Sequence, residues 1–127
     1  MPVGWAVRTE NAARLPAELQ SEGFHPTGLS GSRERPDGVK LNWTTFDLPG
    51  VDDLTAPFFI EWGNMRDHPS RTASGEGCRL QSLRIQSAHA KRLERLVDLF
   101  SVPVGVDGGA ASRIEIVLNC PRGAIRF

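Results

Sequence analysis

Phe59-Ile60-Glu61-Trp62, inside the apolar run Pro57-Phe58-Phe59-Ile60-Glu61-Trp62-Gly63, has a counterpart at the far end of the chain in Ala124-Ile125-Arg126-Phe127. Each stretch is short, mostly apolar and preceded by turn residues, as the closing strand of a small sheet is. Working outward, Trp5-Ala6-Val7 corresponds to Leu83-Arg84-Ile85, and Arg14-Leu15 to Arg92-Leu93. The chain therefore makes two passes through the order β, α, β, β, β. This predicts an α+β fold of two βαβββ modules, one over about residues 3–64 and the other over about 79–127.

Within the first pass, Trp5 to Thr9 alternates as a strand, and Ala13, Leu15, Ala17 and Leu19 take helical spacing between Glu10 and Glu22. Pro16 lacks an N–H, so it belongs in the first turn and makes the helix start late; Gly23 stops it. Gly28 to Gly38 is rich in Gly, Ser, Arg and Pro and reads as a connection. It ends in the turn Arg35-Pro36-Asp37-Gly38, where proline presets φ and Asp-Gly takes the reversal. Val39, Leu41 and Trp43 then alternate with Lys40, Asn42 and Thr44 as in a half-buried strand. Pro49 to Ala56 reads as a loop, and Asn64 to Gly77, which has no periodicity, as the seam between the modules.

The second pass gives a strand from Leu80 to Ser87, with Ser87 as the expected N-cap of a helix over Ala88 to Phe100. Leu93, Leu96, Val97 and Phe100 share one helical face. Strands follow at Val102–Val106, Arg113–Asn119 and Gly123–Phe127, and Gly105 to Gly109 reads as a hairpin-like turn.

A chain of 127 residues closes one hydrophobic core, so a single domain over 1–127 is expected. Its 15 basic and 15 acidic residues cancel. Without a net field to attract a polyanion, neither nucleic acid nor an anionic membrane is an expected partner. The absence of a long apolar run or a signal-like start predicts a cytoplasmic protein, and in that setting Cys78 and Cys120 are expected as two free thiols, Cys120 buried. No Gly-x-Ser-x-Gly elbow, dinucleotide fingerprint or phosphate loop is present. His25 and His89 read as surface or capping residues.

Four stretches in order carry a resemblance: Gly4-Trp5-Ala6-Val7-Arg8-Thr9, Ser32-Arg33-Glu34-Arg35-Pro36-Asp37-Gly38, Pro57 to Gly63, and His68-Pro69. Together they resemble the glyoxalase-like domain family of the vicinal oxygen chelate superfamily, which also contains bleomycin resistance proteins and dioxygenases. The resemblance implies that the two modules curl into an open half-barrel. It also implies ligand positions for a metal at Gly4, Glu61, Ser82 and Arg126. Of these only Glu61 binds a divalent cation well, because glycine has no side chain, a lone hydroxyl is a poor donor and arginine is a permanent cation. The expectation is therefore a domain with no metal or other cofactor, in which Glu61 and Arg126 face each other. Family members often carry a further module upstream of the Gly-Trp strand, so any function housed there is expected to be missing here.

On the half-barrel, strand alternation sends Trp5, Val7, Phe58, Ile60, Trp62, Leu83, Ile85 and Ile125 toward the helices. It leaves Ala6, Arg8, Phe59, Glu61, Ser82, Arg84, Gln86 and Arg126 on the concave face. Arg35, Trp43 and His68 are expected near its mouth. An arginine-bearing cleft with an aromatic wall predicts a small anionic ligand, held without catalysis. The alternative is a metal-dependent lyase, isomerase or dioxygenase using Glu61, with His68 or a second subunit completing the site. The plainest reading has Glu61 simply paired with Arg84 or Arg126. Exposed Phe46 or Phe127 could instead mark the contact of a homodimer.

Overall fold

The computed structural model describes residues 2–63, 66, 68, 71 and 77–127, so most of the seam read at Asn64 to Gly77 lies outside the described residues. The elements are β1 (Ala6–Arg8), α1 (Leu15–Ser21), β2 (Thr27–Glu34), β3 (Lys40–Asp47), β4 (Phe58–Trp62), β5 (Arg79–Ser87), α2 (Ala90–Leu99), β6 (Val104–Gly108), β7 (Arg113–Cys120) and β8 (Gly123–Arg126). The fold is α+β, and β, α, β, β, β occurs twice among the described residues. The two sheets are open and four-stranded, ordered β1-β4-β3-β2 and β6-β5-β7-β8. The order of elements repeats, but the order in the sheets does not. β1 is an edge strand parallel to β4, whereas β5 lies inside its sheet between β6 and β7.

Two compact units contain these sheets: Ala6–Pro49 with Phe58–Gly75, and Met1–Trp5 with Gly50–Pro57 and Glu76–Phe127. The β3–β4 connection thus belongs to the unit of the second sheet, a boundary that the module reading at 3–64 does not follow.

In the first unit, α1 begins late, as Pro16 requires, and its C-terminal turn is followed by Gly23 at φ +84°, a left-handed conformation that suits glycine. Leu15, Leu19, Phe24, Leu41, Phe46, Leu48 and Phe59 are buried. The stretch after Gly28, read as a connection, is instead strand β2, paired along its length with β3. Its glycines have a packing reason. A Cβ at Gly28 would come 2.9 Å from the Phe46 ring, and one at Gly31 2.6 Å from the Trp43 indole, so both rings lie across a backbone that only glycine leaves open. The Asp37 carboxylate that closes the β2–β3 turn accepts from Arg35 and from the Val39 amide, which together hold it below the usual aspartate range.

In the second unit, Ile85, Ile114, Leu93, Leu96 and Val97 are buried, and α2 packs on β6. Gly105 lies within β6, not in a hairpin turn. A Cβ there would stand 2.9 Å from the Arg84 guanidinium, and one at Gly109 2.5 Å from the Gln86 amide. These two long side chains cross the glycines to reach Asp107 and the Ala111 carbonyl.

Asp52 holds the β3–β4 connection in this unit. Its Oδ1 accepts from the amides of Leu54 and Thr55, each at 3.0 Å, and its Oδ2 from the hydroxyls of Ser87 at 2.6 Å and Ser112 at 2.9 Å. Ser87 is therefore not the N-cap expected; that position is His89, whose amide donates to the Ser87 hydroxyl. Alongside, the buried Trp5 indole donates to the Thr55 carbonyl at 2.7 Å. Burial works to raise the Asp52 carboxyl, but the Ser87 hydroxyl, the Thr55 amide and the Ser112 hydroxyl outweigh it and hold it well below the ordinary 3.8.

The expectation of two free thiols is also corrected. Cys78 and Cys120 are joined by a disulfide. Arg79 is registered with Asn119, and one step further along the ladder sets the cysteines opposite each other, a juxtaposition that spacing in the sequence could not show. Among the described residues no helix is long and apolar enough to cross a membrane.

The depressed Asp52 pKa gives a signed prediction. A carboxylate that is more acidic folded than unfolded contributes stability above the unfolded value of 3.8, and loses it as pH falls toward the folded value. Asp52→Asn should lower stability by about 2–3 kcal/mol at pH 7. In thermal melts the gap between wild type and variant should be widest near neutrality and should narrow below about pH 4.

Candidate functional site

Cross-strand partners share a face of a sheet, so the register of the first sheet decides what converges on Glu61. Ser30 is opposite Thr44, and Thr44 opposite Glu61; the next pair outward is Ser32 with Asn42. One face thus presents a row of hydroxyl, amide and carboxylate groups, with the Ser30 and Thr44 hydroxyls 3.5 Å apart. The row continues into Phe46 and Phe59, which stand opposite each other and are buried. An open cleft of about 480 Å³ lies here, lined by Ser30, Gly31, Ser32, Asn42, Trp43, Thr44, Glu61 and Gly63.

Glu61 has a structural duty in this cleft. Its Oε2 accepts from the Ala12 amide at 2.7 Å, just ahead of α1. That helix has no side-chain cap of its own, so a carboxylate from β4 supplies an acceptor at its approach. This explains an acidic residue in the most apolar strand of the module. Oε1 takes no hydrogen bond among the described residues and remains available to the cleft.

Several residues expected on one concave face are distributed differently. Phe59 is 0% exposed and is core, whereas Phe58, expected in the core, is 37% exposed. Arg8 is registered with Ile60, one residue out of phase with Glu61, and so leaves from the opposite face; Val7, registered with Phe59, takes its place. The short β1 alternates equally well either way, and only its pairing with β4 fixes the choice. Phe46, offered as an exposed contact, is buried, while Phe127 is 55% exposed.

The arginines have local partners. Arg8 lies 4.0 Å from Glu10, and Arg35 pairs with Asp37. On the second sheet, Ser82, Arg84, Gln86 and Arg126 do share a face by register, as expected. There Arg84 bonds both Asp107 oxygens, at 3.0 and 2.9 Å, and Arg126 lies 3.6 Å from Glu115. Each arginine thus has its carboxylate on its own sheet. Strand order also removes the equivalence used to carry ligand positions across the modules: Glu61 is on an interior strand, Arg126 on the edge strand β8.

On the other face of the first sheet, Trp43 and Trp62 meet edge to face with centroids 5.9 Å apart, and His68 sets its ring 5.0 Å from Trp62 in the same manner. His68 is thus part of an aromatic cluster. Among the described residues no three of His, Cys, Asp or Glu are gathered as a metal site. Glu61 with hydroxyls and an amide is a donor set that does not fit the superfamily's metal centre.

An α+β chain of two βαβββ passes, with a polar cleft on the last strand of the first, defines the class. The sequence profile of the glyoxalase-like domain family matches residues 1–100, and the chain belongs to that family. No curated protein matches it. Among solved structures, it is similar to a hypothetical protein from Staphylococcus aureus, at 15% identity and a TM-score of 0.69 over 98% of this chain. The chain spans 65% of that protein's length.

The Glu61–Ala12 bond separates structure from ligand binding. Glu61→Ala should cost about 1–2 kcal/mol and weaken the helical signal of α1 in circular dichroism, because the Ala12 amide loses its charged acceptor. Glu61→Gln keeps an acceptor oxygen and should unfold within about 1 kcal/mol of wild type in urea.

Proposed function

We propose that the domain is a small-molecule binding module whose ligand lies on the Ser30–Thr44–Glu61 face of the first sheet. The observation that carries this reading is the cleft itself: five hydrogen-bonding side chains are aligned by strand register, and one carboxylate oxygen among them is unspent. Polar clefts recognise ligands by matching donors to acceptors, and hydroxyl and amide groups can do either.

The polarity of the cleft also bears on the ligand. The anionic ligand expected from the sequence rested on Arg8, Arg35, Arg84 and Arg126, each of which has a carboxylate neighbour of its own. Among the described residues Glu61 is the charged one in the cleft lining. A neutral, hydroxyl-rich molecule or an amine therefore suits it better than a carboxylate or phosphate, which Glu61 would repel. The enzymatic alternative, a metal-dependent lyase, isomerase or dioxygenase, would need Glu61 to gain ligands that the described residues of the lining do not supply. Binding without turnover is the better-supported activity.

A thermal-shift screen of sugars, polyols, amines, carboxylates and phosphates tests this. The expected result is a raised Tm with members of the first three classes, lost in Glu61→Gln and in Thr44→Val although both variants fold. Stabilisation by carboxylates or phosphates that survives both substitutions would overturn the proposal. A divalent cation that raises Tm in wild type and not in Glu61→Gln would favour the enzymatic reading instead.

A further inference from the structure

The Cys78–Cys120 disulfide lies at a mechanically distinct end of the second sheet. From Ser82 to Gln86, β5 runs in register with β7 and is backed by Ile85, which is 1% exposed. Between Leu80 and Ser82 the register shifts. Beyond that irregularity only two residue pairs remain, Leu80 with Leu118 and Arg79 with Asn119, before the cysteines themselves. Residues 77–80 are all exposed, so little apolar burial holds them. What does hold them is the disulfide and the contact just before it. Gly77, at φ +109°, lies so close to Pro121 that a Cβ would come 2.6 Å from its ring. The same end carries the β7–β8 turn, and all four residues of β8 are exposed.

We propose that Cys78–Cys120 is a reversible redox clasp. Closed, it fixes the first residues of β5 against the β7–β8 hairpin; open, it lets the ladder fray back to the irregularity while the sheet from Ser82 onward persists. Exposed cross-links are the ones a thiol can reach, and segments with few buried contacts are the ones that open locally. In the opening step, one thiolate of a dithiol reductant attacks Sγ of the exposed Cys78 and expels Cys120 as a thiolate, which takes up a proton. The second thiolate of the reductant attacks the mixed disulfide and releases Cys78, which is protonated in turn. Two electrons and two protons pass to the protein, and the dithiol leaves as its own disulfide. Closure is the reverse, driven by a disulfide oxidant such as oxidised glutathione. Leu80, Leu118 and Ile125 stand in one row across β5, β7 and β8, and Leu80 and Ile125 are 59% and 45% exposed. Opening breaks that row, so the apolar surface at this end changes with redox state.

The test is NMR of the whole chain, closed in oxidised glutathione and then opened with dithiothreitol, with thiols counted by alkylation and mass. The expected result is two thiols gained, loss of the cross-strand contacts Arg79–Asn119 and Leu80–Leu118, retention of Leu83–Ile116 and Ile85–Ile114, and recovery on reoxidation. Cys78→Ser should give the open spectrum without reductant. The proposal is overturned if two free thiols persist in oxidised glutathione, if all of these contacts survive reduction, or if reduction or Cys78→Ser unfolds the entire sheet.

Discussion

A half-buried carboxylate draws donors to itself, and Asp52 meets four of them on three segments of the chain. Two are amides of its own loop, one is the hydroxyl at the end of β5, and one is the hydroxyl just before β7. This arrangement decides where the β3–β4 connection goes: it belongs to the unit of β5–β8, although β3 and β4 pair in the other unit. Ser87 transmits the constraint, because the hydroxyl that donates to Asp52 also accepts from the His89 amide and so sets the approach to α2. Trp5 adds a second anchor through the Thr55 carbonyl.

In the first unit the same logic operates through Glu61. An acidic residue between Ile60 and Trp62 is costly unless satisfied, and the Ala12 amide satisfies one of its oxygens. The cleft beside it is polar because strand pairing lines up Ser30, Thr44 and Glu61, and Ser32 with Asn42. Large residues of β3 take up the space over Gly28 and Gly31, so a strand that looks too glycine-rich to form is one that its neighbour's aromatic rings require.

Much of the architecture was legible. The second pass of β, α, β, β, β, the late start of α1 at Pro16 and the hairpin turn at Asp37-Gly38 all follow from local rules, because each depends on backbone freedom or on periodicity within a few residues. What escaped depends on partners far apart in sequence. β2 was hidden because Gly28 and Gly31 are explained only by Phe46 and Trp43. Arg8 was assigned to the face of Glu61 because a three-residue strand has no phase of its own. Arg84 looked available for a ligand because Asp107 lies on another strand. The disulfide needed the register of β5 on β7. The site was half visible: Glu61 and Trp43 were candidates, and Asn42 and Thr44 were seen to alternate with the apolar residues of β3, but Ser30 and Ser32 could join them only once β2 was a strand.

We propose that ligand is taken up on the polar face of the first sheet, beside the Glu61 carboxylate. Backbone-amide NMR during separate additions of a polyol, a polyamine and phosphate tests it most directly. The expected result is shifts centred on Ser30, Ser32, Asn42, Thr44 and Glu61 with the polyol or the polyamine, and none there with phosphate. Shifts with phosphate centred on Arg84, Arg113 and Arg126 would contradict it and return the site to the second sheet.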